Sequence, residues 1–175
     1  MSDHERLERA GAVRLAIFDV DGVMTDGRIA YTSAGDEIKQ FHTRDGLGIK
    51  GLMTNGIDVA IITARSSPIV ERRQRELGIT HLVQGREDKA SALAELLAET
   101  GLSGEDCAYT GDDLVDWPAM RACRLRCAPA DASEWIRQRA HFVTERPGGH
   151  GAAREVCELI LAGHGLLEGW QERFE

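Results

Sequence analysis

The sequence predicts an α/β domain built on a doubly wound, mostly parallel sheet. Three observations predict it. Short apolar, β-prone runs recur along the chain, each too continuous to leave one face in water. Stretches with helical spacing lie between them, as parallel strands require. The chain has 175 residues, 42% of them hydrophobic, which suits one domain with a real core over 1–175.

The elements follow in order. After a polar leader, MSDHERLERAG, the run Val13 to Phe18 (VRLAIF) reads as the first strand. It ends in the acidic, glycine-containing turn Asp19-Val20-Asp21-Gly22. Arg28 to Thr43 breaks the alternation and reads as two strands around Ser33-Ala34-Gly35-Asp36, a small inserted β-hairpin projecting over 27–44. Ile57 to Thr63 (IDVAIIT) is the next buried strand. Ser67-Pro68 caps and opens a helix that Gly78 closes. Thr80 to Val83 is a short strand; Leu93, Leu96 and Leu97 then stripe a helix ended by Gly101. Strands follow at Asp106 to Thr110 and Arg124 to Cys127. The last clear helix is Gly151 to Ala162, with Ala153, Val156, Cys157 and Ile160 on one face. Gly165 to Glu175 is weakly patterned and reads as a mobile tail.

Composition excludes several functions. Lys plus Arg is 21 and Asp plus Glu is 29, a net charge of −8. Such a chain lacks the basic face that nucleic acid or an anionic membrane needs, so any anion it handles meets a small local site. No apolar run approaches membrane-spanning length and the leader lacks a signal-peptide core, so the expected location is the cytoplasm. Cys107, Cys123, Cys127 and Cys157 read as free cysteines in strands and helices; Cys123 and Cys127 lack the second pair a zinc site needs.

Four sites carry chemistry. At Asp19-Val20-Asp21-Gly22, two carboxylates end a strand too apolar to want them, although a turn or helix cap would also explain them alone. Gly111-Asp112-Asp113-Leu114-Val115-Asp116 adds three more at the same sheet edge; one can be a helix cap, and the set offers the hard oxygens that Mg²⁺ selects. Thr63, where a strand meets a helix start, offers a hydroxyl and backbone N–H groups to phosphate oxygens, or simply an N-capping run. Lys89 shares the apolar face of Leu93 and Leu96 and sits in a first turn where the macrodipole disfavours a cation. Either it snorkels to solvent or an anion lies near.

A strand-end Asp, a second Asp two residues on, a strand-end Thr, a Lys and an acidic cluster, in that order, resemble the haloacid dehalogenase superfamily of phosphotransferases. The resemblance implies a Rossmann-like fold and an aspartyl-phosphate mechanism. Asp19 would be the nucleophile, Asp21 the acid and base, and Thr63 and Lys89 the phosphoryl holders. Asp19, the Asp21 carbonyl and Asp112 would bind Mg²⁺. The stretches between Asp21 and Thr63 and between Lys89 and Asp112 are too short for a cap domain. The segments FDVDGVMTDGRIAY, FHTRDGLGIK, QGREDK, GDDLVDWPAM and RPGGHGAAREVCELIL resemble the capless sugar-acid phosphatases, over about residues 12 to 162.

That branch implies hydrolysis of a 3-deoxy-octulosonate 8-phosphate for lipopolysaccharide synthesis, in a homotetramer whose hairpins assemble and whose sites are walled by a neighbour. His42, Thr43, Arg44, Asp45, Gly46 and Lys50 would touch the sugar acid from the adjacent subunit. Asp21, Arg65, Arg73 and Lys89 would complete the substrate site. Ala64, Lys50, His42, Thr43 and Pro129 differ from the residues usual in the family and leave the exact sugar open. The rival readings are a nine-carbon sugar-acid 9-phosphate as substrate, and a non-catalytic assembly module.

Overall fold

A computed structural model describes all 175 residues. In chain order the elements are α1 (Asp3–Ala10), β1 (Leu15–Phe18), β2 (Ala30–Tyr31), β3 (Glu37–Ile38), α2 (Thr43–Thr54), β4 (Asp58–Ile62), α3 (Pro68–Leu77), β5 (His81–Val83) and α4 (Lys89–Thr100). There follow β6 (Cys107–Thr110), α5 (Trp117–Met120), β7 (Leu125–Ala128), α6 (Glu134–Arg137), β8 (Phe142–Val143), α7 (Ala152–Gly163) and α8 (Leu167–Gln171).

Six strands form one parallel sheet in the order β5-β4-β1-β6-β7-β8. The chain moves outward from β1 through β4 to β5, then returns to the other side of β1 at β6. The strand order therefore reverses beside β1, and a crevice opens there at the carboxyl ends. Register sets what meets in it. Phe18 lies opposite Ile61 on one side and Thr110 on the other, so Asp19, Thr63 and Asp112 all emerge at that edge.

Each central strand is buried on both faces, which is why its sequence is continuously apolar. Ala16, Phe18, Val59 and Ile61 face one core with Ile49 and Leu52 of α2 and Val156 and Ile160 of α7. Leu15, Ile17, Ala60 and Ile62 face the other with Leu93 and Leu96 of α4 and Met120 of α5. Ser67 caps α3, Pro68 opens it, and Gly78 closes it in the left-handed region. The four cysteines are free and buried.

The structure adds to the sequence reading at both ends. The leader is a helix, α1, because Ser2 and Glu5 form a reciprocal capping box. The tail, expected to be weakly patterned and mobile, instead forms α8 with Trp170 buried. Trp170 is buried on Gly51, where a Cβ would meet the indole at 2.7 Å, and the Arg154 guanidinium lies 4.7 Å from its ring centre. The hairpin pairs Ala30 with Ile38 and Tyr31 with Glu37, apart from the main sheet. No helix is long and apolar enough to cross a membrane.

Candidate active site

Asp19, Asp21, Thr63, Arg65, Lys89 and Asp112 line one pocket of about 190 Å³ at the strand reversal. Asp19 follows directly from β1, its N–H donating to the Thr110 carbonyl (3.0 Å). The loop after it turns back at Gly22, which has φ +92°. A Cβ at Gly22 would lie 2.2 Å from an Asp112 carboxylate oxygen, so only glycine lets the two acidic loops close on each other. The glycine pair Gly148-Gly149 packs behind this turn, Gly149 N–H donating to the Val23 carbonyl (3.0 Å).

Lys89 does not snorkel. It is 1% exposed, with its ammonium 2.9 Å from Asp19 Oδ1 and 2.6 Å from Asp116 Oδ1. Asp116 is fully buried and fully engaged. Its Oδ1 also accepts from the Tyr109 hydroxyl (3.2 Å), and its Oδ2 accepts from the Asp112 and Asp113 N–H groups (3.0 and 3.2 Å). Asp113 is exposed and caps the turn Leu114–Asp116 through the Leu114 N–H (2.8 Å).

One lysine cannot neutralise this cluster. Burial, with the Asp116 charge beside it, pushes Asp19 up to about 7. Burial and the neighbouring Asp116, Asp19 and Asp113 charges push Asp112 up to about 8. Oxygens of Asp19, Asp112 and Asp116 lie within 4.8 Å of one another. Because Asp116 already accepts four hydrogen bonds, Asp19 and Asp112 are the two with lone pairs to give. Crowded hard oxygens that resist ionisation are what a small divalent cation relieves, so the donor set fits one.

Not every expected residue joins this pocket. His42 caps α2 by accepting from the Arg44 N–H (3.2 Å), and Thr43, Arg44 and Lys50 are exposed on that helix. Arg44 lines a separate hollow of about 430 Å³ with Arg146 and Arg154. Arg73 lies 5.7 Å from the Phe41 ring centre and 3.5 Å from Glu76. Asp45 and Gly46, expected to touch a sugar acid, are buried instead. Asp45 Oδ1 accepts from the Arg154 N–H (2.9 Å) and so caps α7, whose own N-cap, Gly151, has no side chain. Gly46 makes room for Arg73, whose guanidinium a Cβ would meet at 2.5 Å.

Two residues at the site escaped the sequence reading. Lys39 places its ammonium on Asp21 Oδ1, and Glu37 bonds Arg65 (3.2 Å) and Ser67 (2.6 Å). The signal was the alternation Glu37-Ile38-Lys39, which puts both charges on one side of β3.

A family model for haloacid dehalogenase-like hydrolases matches residues 79–156. The 3-deoxy-D-manno-octulosonate 8-phosphate phosphatase of Yersinia pestis is 52% identical over 163 residues, 93% of this chain and 87% of that protein. The chain belongs to the 3-deoxy-D-manno-octulosonate 8-phosphate phosphatase family of haloacid dehalogenase-like hydrolases. A member from Moraxella catarrhalis, solved with a magnesium ion, a phosphate ion and a KDO molecule, superposes with a TM-score of 0.96 at 42% identity, covering 98% of this chain and 99% of its own. A cobalt-bound member from Haemophilus influenzae gives 0.90 at 40% identity, covering 97% and 99%. Family members and this chain share the capless α/β architecture, and this chain is a hydrolase.

Proposed function

We propose that the chain hydrolyses 3-deoxy-D-manno-octulosonate 8-phosphate to the free sugar acid and phosphate, with Mg²⁺ as cofactor. The observation that carries this reading is the Asp19 carboxylate at the end of β1, facing a pocket shared with Asp21, Thr63, Lys89 and Asp112.

Asp19 attacks phosphorus, the ester P–O bond breaks, and an aspartyl-phosphate forms. Asp21 gives its proton to the leaving alkoxide and then takes one from the water that hydrolyses the intermediate. Lys89 uses two of its donors on Asp19 and Asp116, and its third can reach a phosphoryl oxygen alongside the Thr63 hydroxyl. The Asp19 and Asp112 side chains and the Asp21 carbonyl would hold the cation. When bound, it supplies the charge neutralisation that lets an anionic nucleophile meet an anionic ester.

The open pocket is completed in a homotetramer of hairpin-joined subunits, where His42, Thr43, Arg44 and Lys50 of a neighbour face the sugar acid and Arg65 and Arg73 serve its anionic groups. Arginines suit a substrate that carries both carboxylate and phosphate. The setting is the cytoplasm, and the product serves lipopolysaccharide synthesis.

The test is phosphate release from the eight-carbon 8-phosphate and from a nine-carbon sugar-acid 9-phosphate, with and without EDTA. A preference for the eight-carbon ester, lost in EDTA and restored by Mg²⁺, is expected. Preference for the nine-carbon ester would reassign the substrate. No release from either would favour an assembly module.

A further inference from the structure

The hairpin does more than project. Its inward face folds onto the chain's own site. Strand alternation points Glu37 and Lys39 to one side of β3 and leaves Ile38 exposed on the other. The Lys39 side chain is 3% exposed, and its ion-pair partners are Asp21 Oδ1 and, at 3.4 Å, Glu37 Oε1. Glu37 is held in turn by Arg65 and Ser67. Arg65 brings its Nε to 3.9 Å from Asp21 Oδ2, too far for a hydrogen bond, and that buried N–H has no partner.

Each oxygen of Asp21 therefore has its own neighbour. Oδ1 is tied to Lys39, while Oδ2 makes no hydrogen bond. Immobilising a long lysine side chain and removing its ammonium from water are both unfavourable. The compensating contacts are the carboxylates of Glu37 on the hairpin and of Asp21, which lines the reaction pocket.

We propose that Lys39 is a positioning residue for Asp21: by holding Oδ1 it fixes the carboxylate so that Oδ2 carries the proton exchanged with the leaving oxygen and with water. The inference rests on the phosphatase reading. In the first step an Asp19 oxygen bonds phosphorus, the ester P–O bond breaks, and the proton on Asp21 Oδ2 passes to the leaving oxygen. In the second, water gives a proton to Oδ2 as its oxygen displaces Asp19 from phosphorus. Lys39 keeps its own protons throughout.

The role separates by leaving group. A sugar alkoxide needs the proton; p-nitrophenolate does not. The Mg²⁺-loaded wild type, Lys39→Met and Lys39→Arg are compared by kcat/KM, which reports the step that phosphorylates Asp19. Lys39→Met should lose about 100-fold on the sugar-acid phosphate, the cost typical of a misplaced catalytic group, and only a few-fold on p-nitrophenyl phosphate. Lys39→Arg, which keeps the charge and the donors, should recover most of the sugar-acid activity and serves as the reference should Lys39→Met not fold. Equal losses on both esters, no loss on either, or a Lys39→Arg variant impaired equally on both would overturn the role. A wild type inert towards both esters would overturn the phosphatase reading itself, and Lys39 with it.

Discussion

At the scale of the residue, the site is a problem in charge. Asp19 and Asp112 carry more burial than Lys89 compensates, which places them near 7 and near 8 against an ordinary value of 3.8. In the unfolded chain both are ionised above about pH 4, whereas the folded, metal-free protein keeps their protons to near neutrality. The folded state then binds more protons, so its stability falls as pH rises through that window. A divalent ion binds the ionised form and opposes the trend. In EDTA the melting temperature should therefore drop between about pH 5 and about pH 8, and saturating Mg²⁺ should raise it more at the upper end than at the lower. An Mg²⁺ effect that shrinks with pH would remove Asp19 and Asp112 as its ligands. Asp19→Asn nearly preserves shape but removes the nucleophile. Phosphate release should fall by at least about 10³-fold with far-ultraviolet circular dichroism unchanged. Retention of most activity would assign the attack to another group.

At the scale of the element, α2 and α7 meet through Asp45, which supplies the cap that Gly151 cannot. Asp45→Ala should cost about 1 kcal/mol of stability in urea unfolding, as lost N-caps do. A rise in KM for the sugar-acid ester with stability unmoved would return Asp45 to the substrate-binding role expected from sequence. The case shows where legibility ends. Asp19, Thr63 and Asp112 were readable as a set: each alone could be a turn or cap, but polar residues following three buried strands at one sheet edge, in that order with Lys89, carry the resemblance. Lys89 was readable because its sign and its face both conflict with its position in α4. Asp45 was not, since its partner lies more than a hundred residues away at Arg154 and an acid in a helix's first turn is locally unremarkable. Glu37 and Lys39 were hidden for the same reason: on a short exposed hairpin they look like solvated charges until the hairpin's direction is known. The helix α8 depends on Trp170 finding the bare backbone at Gly51, a packing match that periodicity does not register.

At the scale of the whole molecule, the question is whether the hairpin joins subunits, serves the site, or both. On the tetramer proposal, removing Tyr31 to Gln40 should break assembly and activity together, but it also deletes Glu37 and Lys39, so the loss would not say why. The two faces of β3 permit a cleaner separation. Ile38 points outward and is 44% exposed, its cross-strand partner Ala30 is exposed with it, and neither contributes to the pocket. Unprotected strand edges with outward apolar residues are assembly surfaces, and a charge there opposes pairing. Ile38→Asp leaves Lys39 on Asp21 while disfavouring association. On the shared-site proposal this variant should elute as a monomer, and its KM for the sugar-acid phosphate should rise because Arg44 and Lys50 of a neighbour no longer face the substrate. Hydrolysis of p-nitrophenyl phosphate, which needs only the chemistry within one chain, should persist. A monomer with an unchanged KM for the sugar acid would mean that the specificity determinants lie wholly within the subunit and would overturn the shared site.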